Sequence, residues 1–544
     1  MTSCAEKKQP VKELRDESSS SDMTAPMPSC RRLFARNWAV WLLSSLAVFS
    51  LGLLSLTWLT DFFNDAIVSN LQLSNGSLSF AWWQRPSVRA VYRIRIFNYT
   101  NVDEFMNGEA EKLRVQELGP YIYRETLTRV NPEIEEDGRL SYQEQRTYQW
   151  EGGSPDDERI VVPNVPLFTA MAFSRDMSFL AQVSLTAVLS TIRAKPFIQV
   201  RAGDFLWGYD DELFRISKPV LAWQQNIPFD KFGILAFKAG LSNDRMTIDT
   251  GVEDLRYLGN TVRMNGKESR NVWQDESCDK IEGSDGSMFP PQMIRDHNYT
   301  LKVYAKEMCR SIPLQYYGEG HSKGIPTLRY KLPEDIFEAT PTKNSCFCQR
   351  VLEDSENVTH VCAPKGLFNS SACNFGAPMI SSFPHFYQAD KSVLDYVDGL
   401  EPKEELHGSY LDLHPRLAVP IGGWSRVQIN LEARKADAVP FMGRIKDGTI
   451  LPILWVEVGI DEIPESVMNI LYHAHFTASA VEACLHWGSL LGLILAVVSL
   501  GCLLSKRRNE KHIVLHRNVS GQDPLIETGE AKSVGPCSIY FEKE

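Results

Sequence analysis

The chain has 544 residues, 43% hydrophobic, 10% aromatic and 23% charged, which is ample apolar material for a folded core. Its 57 Lys and Arg are outnumbered by 68 Asp and Glu, and the resulting net charge of -11 argues against a nucleic-acid-binding protein. No repeat or low-complexity tract interrupts the long middle of the chain.

Residues 1–37 contain SSSSD, several prolines and few apolar groups, so they are expected to form a disordered tail. Residues 38–59, WAVWLLSSLAVFSLGLLSLTWL, then run about 22 positions without a charge, enough helix to cross a hydrocarbon core of roughly 30 Å. Arg31, Arg32 and Arg36 precede this run, and Asp61 and Asp65 follow it, so the positive-inside bias puts the short N-terminal tail in the cytosol. A cleaved signal peptide is disfavoured by the length of the run and by bulky Phe62 and Phe63, which stand where small residues should mark a cleavage site.

Residues 61–71 place Phe63, Ala66, Ile67, Asn70 and Leu71 near helical spacing, predicting a juxtamembrane helix. From 88 to 97 the period changes to two. Val88, Ala90, Tyr92, Ile94 and Ile96 share one face and Arg89, Arg93 and Arg95 the other, the pattern of a half-buried strand. Gly119-Pro120 is expected to open a further extended piece, YIYRETL. Asn265-Gly266 reads as a hairpin turn between TVRM and ESRNVW, and Asp447-Gly448 as a turn before TILPILWVEV. Strands joined by short turns imply a mainly antiparallel sheet or barrel. Residues 166–192 break that pattern and predict two helices meeting at Arg175-Asp176. In the second, Leu180, Val183, Ala187 and Val188 form one apolar face, and Leu185, Leu189 and Ile192 form another. A helix apolar on two faces is either wholly buried or uses one face to dock a partner.

Six of the eleven cysteines, Cys278, Cys309, Cys346, Cys348, Cys362 and Cys373, fall in the middle of this region. An even number on an oxidising side reads as three disulfides; the rival, zinc bound by CFC with Cys362 and Cys373, lacks paired C-x-x-C spacing. N-glycosylation acceptors occur at Asn75, Asn98, Asn298, Asn357 and Asn369, on the side predicted to be exoplasmic, whereas Asn518 lies in the predicted cytosolic tail. His473 and His475 in LYHAHF are candidates for a pH-sensitive or metal-binding pair, with an interfacial role as the simpler reading.

Residues 483–504, ACLHWGSLLGLILAVVSLGCLL, form a second run of about 22, with His486 its sole ionisable group apart from thiols. Glu482 and His486 are expected to pair at i, i+4, and Gly488 and Gly492 make one G-x-x-x-G, a signature of helix association and hence of a homo-oligomer. Lys506, Arg507 and Arg508 follow at once. The layout is therefore an ectodomain at 60–482 between two spans, with cytoplasmic tails at 1–37 and 505–544. Cys4, Cys30 and Cys502 are candidate palmitoylation sites by position. No G-x-S-x-G, G-x-x-x-x-G-K or H-E-x-x-H occurs, so an enzyme is not expected, and neither a cofactor nor a metal is called for.

The series VQELGPYIYRE (115–125), FLWGY (205–209), GSDGSMFPP (283–291), CRSIPL (309–314), CNFGAPMISSFPHFYQA (373–389) and ILPILWVEVG (450–459) resembles the class B scavenger receptor family. That family includes the fatty-acid translocase, the high-density-lipoprotein receptor and the lysosomal integral membrane protein. The resemblance implies an α+β membrane protein: an antiparallel β-barrel ectodomain with short helices, a helical bundle at 163–195 farthest from the membrane, and a hydrophobic tunnel through the core. It also implies the pairs Cys278–Cys346, Cys309–Cys373 and Cys348–Cys362 within 278–373. Members bind lipoproteins, lipids or proteins at the apical bundle, where Phe179, Leu185, Leu189, Ile192, Arg175, Arg193 and Lys195 are the candidate contacts here. Basic residues serve some relatives in binding anionic particles, and this bundle offers few.

A long acyl or isoprenoid chain loses about 0.8 kcal/mol of favourable burial per methylene left in water, so its transfer between particle and bilayer needs a dry path. The expectation is selective uptake of a fatty acid, sterol or carotenoid-like molecule at the plasma membrane. The alternative is an endosomal or lysosomal sorting receptor for a protein cargo; Asp523-Pro524-Leu525-Ile526 resembles an acidic dileucine signal, although Gly521 stands at the usual acidic position. A two-span ion-channel subunit shares the topology but would want a polar stripe that neither span has.

Overall fold

The computed structural model describes residues 30–221, 229–273, 275–352 and 358–519. The chain separates into two units, Met1–Asp61 with Glu482–Glu544, and Phe62–Val481. Cys4, Asn357 and the 523–526 signal lie outside the described residues.

Two apolar helical stretches, Asn37–Leu59 and Glu465–Lys511, are long enough to cross a membrane. The helix of the first begins at Cys30 rather than at Trp38, and the helix Ala478–Val519 continues well past Leu504. Part of the expected disordered tail is therefore helical. Small residues let the two helices meet. Ser50, Ser489 and Ala496 are buried, and a Cβ on Gly492 would stand 3.1 Å from Ser50 Oγ. Gly492 thus serves a contact within the chain, while a Cβ on Gly488 would meet open space. His486 Nε2 donates to the Thr57 carbonyl at 2.7 Å, and Trp58 packs edge-on against Trp487. Cys502 and Cys484 are free and exposed.

The second unit is built on a fourteen-stranded, almost wholly antiparallel sheet. Its main path uses β1 (Val91–Tyr99), β2 (Leu113–Ile134), β3 (Arg139–Gly153), β4 (Gly240–Asp249), β5 (Thr261–Met264), β6 (Leu301–Ala305), β7 (Arg310–Ser322), β8 (Ile325–Lys331), β9 (Tyr410–Leu413), β10 (Pro420–Glu432) and β11 (Ile450–Gly459). The order is β5-β4-β3-β2-β1-β11-β10-β9-β8-β7-β6. The edges β5 and β6 are joined through a segment that is not itself a strand. Thr261 N donates to Gly283 O at 2.7 Å, Ser284 N to Lys302 O at 2.9 Å, and Tyr304 N to Ser284 O at 2.8 Å. The sheet is thereby a nearly closed barrel. Gly283 is required at the seam, because its φ is +103° and a Cβ would come 2.6 Å from the Lys302 carbonyl oxygen.

Three local expectations are corrected. Gly119-Pro120 does not open a strand but lies inside β2, where the register with β1 shifts between Ile94 and Ile96. Asn265 and Gly266 do turn the chain at positive φ, yet only the Met264–Lys267 bridge follows in place of a second full strand. In β1 the arginine face is roofed rather than open: Arg93 and Arg95 lie over Trp424 and Trp455 and both pair with Glu457.

The helical bundle comprises Val165–Ser174, Phe179–Thr191, Ala202–Trp207 and Glu212–Leu221. Asn164 starts the first helix by accepting from Leu167 N at 3.2 Å. Val165, Leu167, Phe168, Met171, Leu189 and Phe205 from these helices join Ile94, Ile96, Tyr121, Leu451 and Leu454 in the largest core cluster. Cys278 is bonded to Cys346, Cys309 to Cys373 and Cys348 to Cys362, which leaves none of these sulfurs as a thiolate for zinc.

Candidate functional site: an apolar cavity in the barrel

The barrel interior is hollow at one end. A cavity of about 1260 Å³ is lined by β-strand residues such as Leu127, Ile312, Leu314, Leu411, Val427 and Val458. Phe63, Ile67 and Leu71, just after the first apolar stretch in sequence, contribute to the same wall as Ile463, Val467 and Ala474. Ala90, Gly286, Gly422, Gly423 and Gly459 also line it. At Gly423, with φ +110°, a Cβ would be 2.5 Å from the Tyr410 carbonyl oxygen, so only glycine fits.

The inner end of the cavity is polar. On the cavity side of the β2–β3 ladder, the opposed pairs Glu125/Tyr148, Leu127/Arg146 and Arg129/Glu144 follow one another. Arg146 donates to Glu125 Oε1 at 2.9 Å and Glu144 Oε1 at 2.7 Å, and Lys306 Nζ reaches Glu144 Oε2 at 2.6 Å. Arg129 donates to Asp285 Oδ2 at 2.6 Å, to Ser287 Oγ at 3.2 Å and to the Trp83 carbonyl. Burial opposes the charge on Glu144, but Arg146 and Lys306 outweigh it and hold the carboxyl well below the usual range. Burial likewise works against Glu307, yet Lys238 and Lys306 draw it down to about 2. Burial raises the Tyr92 and Tyr148 hydroxyls.

Beyond this patch aromatic side chains pack against one another. Tyr92 packs on Tyr148 at 5.1 Å, Tyr148 stacks on Trp207 at 4.6 Å, and Tyr123 meets Trp207 at 5.2 Å. Of the main core cluster and its packed neighbours, Tyr92, Ala90 and Val458 reach the cavity, and no residue of the bundle helices lines it. Among the described residues, the lining of this cavity stops short of the bundle helices.

The bundle contacts proposed from sequence divide. Phe179 is 74% exposed, and Arg175, Arg193 and Lys195 are also exposed, with Arg175 3.4 Å from Asp447. Leu189, however, is completely buried, and Leu185 and Ile192 pack on the core. The face turned inward carries Gln182, Thr186 and Leu189: Gln182 Oε1 accepts from Ala438 N at 3.0 Å and Thr186 Oγ1 donates to Ala438 O at 2.7 Å. Leu180, Val183, Ala187 and Val188 face outward instead. Leu185, Leu189 and Ile192, candidate contacts from the resemblance, thus lie toward the core, where the buried polar groups of this helix are satisfied by backbone.

Asn75 and Asn298 are exposed; Asn98 and Asn369 are half-buried, and Asn98 Oδ1 accepts from Val161 N at 2.8 Å. His473 Nδ1 bonds Thr477 Oγ1 at 2.9 Å within a π-helical turn, and His475 lies near His414. Sequence reasoning missed the cavity lining, although the alternation Glu125-Leu127-Arg129 in β2 already put charges on an inward face.

A hollow antiparallel barrel flanked in the chain by two apolar helices defines a membrane protein with a large folded domain between its spans. The CD36 family model matches residues 42–503, and the chain belongs to that family. It is similar to scavenger receptor class B member 1 of Bos taurus, 29% identical over 416 residues, covering 75% of this chain and 77% of that protein. It is also similar to lysosome membrane protein 2 of Mus musculus, 30% identical over 405 residues, covering 73% and 80% respectively. The protein is accordingly a receptor of the class B scavenger type.

Proposed function

We propose that the protein takes up a lipid selectively, holding it in the barrel cavity out of water on its way to the membrane, without chemical turnover. The observation that carries this reading is the apolar cavity of about 1260 Å³, whose wall includes residues adjoining both apolar stretches in the chain. Burying an acyl chain there recovers about 0.8 kcal/mol per methylene. In this reading Phe62–Val481 lies on the exoplasmic side, supported by the arginines before the first span and by exposed acceptors Asn75 and Asn298. The bundle surface, with Phe179 and Leu180 each about three-quarters exposed, presents the incoming particle with an apolar landing site.

The test is Val427→Trp, which extends a half-buried wall residue into open space. Uptake of fluorescent sterol ester by cells displaying equal amounts of protein is expected to fall several-fold. Unchanged uptake would overturn the conduit. The same exposed patch also supports a second reading, a sorting receptor that carries a protein on Phe179, Leu180, Val183 and Val188 to the lysosome. Phe179→Asp with Leu180→Asp would then abolish cargo capture while leaving lipid in the cavity.

A further inference from the structure

Residues 401–408 form a strap just before β9, with one short helical turn at Glu404–His407. Two buried histidines hold it. Glu401 N donates to His385 Nδ1 at 3.0 Å, and Lys403 N donates to His407 Nδ1 at 2.9 Å. His385 belongs to the barrel side of this contact, since its own N–H donates to Gln428 Oε1 of β10 at 2.6 Å. The two rings stack 4.5 Å apart and 8° from parallel, and both meet Trp455 of β11 edge-on. The end of the strap is tied as well: the Gly408 carbonyl accepts from Arg426, which also donates to Glu457 Oε1.

These bonds fix where the protons are. An imidazole nitrogen that accepts a hydrogen bond carries no hydrogen, so each ring is neutral with its hydrogen on Nε2. At His385 that hydrogen is donated to Glu117 Oε2 of β2 at 2.6 Å, and the same oxygen accepts from Trp455 Nε1 at 2.9 Å. A further proton can add to either ring only at Nδ1, the atom that holds the strap, and an imidazolium has no acceptor left for a backbone N–H. The surrounding charges divide. Glu117 favours a charged ring. Against it stand Arg95 of β1, 3.5 Å from Glu117 and 3.8 Å from Glu457, and Arg426 of β10, 3.0 Å from Glu457. On the strap itself Lys403 pairs with Glu401 at 2.9 Å, and Glu404 reaches Lys331 of β8 at 3.8 Å. Burial, then the neighbouring His385, Arg426 and Arg95, lowers His407 from 6.5 to about 4 against the pull of Glu117.

We propose that acid releases this strap: a proton on Nδ1 of His385 or His407 detaches residues 401–408 from the barrel and bares Trp455, giving the receptor a second surface in acidified surroundings. The proposal is independent of what the cavity holds. The released strap leaves His407 at its ordinary 6.5 and the docked strap holds it near 4, so docking is complete above 6.5 and is lost as pH falls toward 4. Between pH 7.4 and 5.0 that one ring raises the opening equilibrium about thirtyfold. The test is hydrogen exchange of the purified full-length protein in detergent at both pH values, each rate divided by that of the unfolded chain at the same pH. Protection of the Glu401 and Lys403 amides is expected to fall about thirtyfold at pH 5.0, while the β2–β3 ladder keeps its protection. Unchanged protection of the strap overturns the proposal, and so does an equal loss in the β2–β3 ladder, which would mean general acid unfolding. His385→Asn with His407→Asn puts an amide oxygen near each Nδ1 position and removes the titration; the fall is expected to shrink to less than about threefold. An undiminished fall in that variant overturns the role of the histidines. The comparison of the two pH values on the native protein needs no variant and stands if the double substitution does not fold.

Discussion

The two ends of one barrel are built from the same strands and differ in what those strands carry. Toward the bundle, Tyr121, Tyr123, Phe97 and Leu454 fill the interior, and Phe168, Met171 and Phe205 pack down on them, all nearly or completely buried. At the other end Leu127, Ile312, Leu314, Leu411, Val427 and Val458 stand around open space instead. Strand β11 shows the change within a few residues, from Ile453, Leu454 and Trp455 in the core to Val458 and Gly459 on the cavity wall. One continuous sheet thus surrounds both a packed region and an open one.

The contrast can be broken most severely at the solid end. Phe205→Ala is expected to cost about 3–5 kcal/mol in denaturant unfolding, because it opens a void among fully packed neighbours. Acid comes next. His414 is buried in its neutral form: Nε2 donates to the Leu471 carbonyl, and Nδ1 accepts from Arg416 N and Leu417 N. Burial, with His475 and Arg416 nearby, lowers its pKa from 6.5 to about 4 despite the Leu471 carbonyl. The unfolded chain then binds more protons than the folded one as pH falls below 6.5, so stability is full above that value and declines down to about 4, by on the order of 3 kcal/mol. Thermal melts from pH 7.5 to 4.5 should show the decline, and His414→Gln should flatten it. At the hollow end, Leu411→Ala, a half-buried wall residue, should cost under about 1 kcal/mol by the same unfolding assay, since it enlarges a space already present. The smallest effect belongs to the surface: Asn75→Gln and Asn298→Gln should each reduce glycan mass by electrophoresis while moving stability by less than about 0.5 kcal/mol.

What could be read from the chain alone follows the same division. Both apolar spans, the alternation of β1 and the pair of helices in 166–192 were legible, because each is a local periodicity with one physical meaning. The cavity was not. Its wall is assembled from Ala90, Gly286, Gly422 and Val458, each unremarkable in its own stretch, and a void leaves no residue to announce it. The outward face of Phe179–Thr191 was misread for a related reason, since Gln182 and Thr186 are buried only because Ala438, far away in sequence, supplies their partners.

The seam at Gly283-Ser284 bears on how a rigid container can admit cargo of differing girth. The β2–β3 ladder runs through many paired residues, whereas here three backbone bonds to Gly283 and Ser284 carry the circumference from β5 to β6. Asp285, next along, holds Arg129 of the cavity wall, so the seam is tied to the lining of the proposed lipid chamber. Amide protons of Ser284 and Tyr304 should consequently exchange sooner in the lipid-laden receptor than in the empty one.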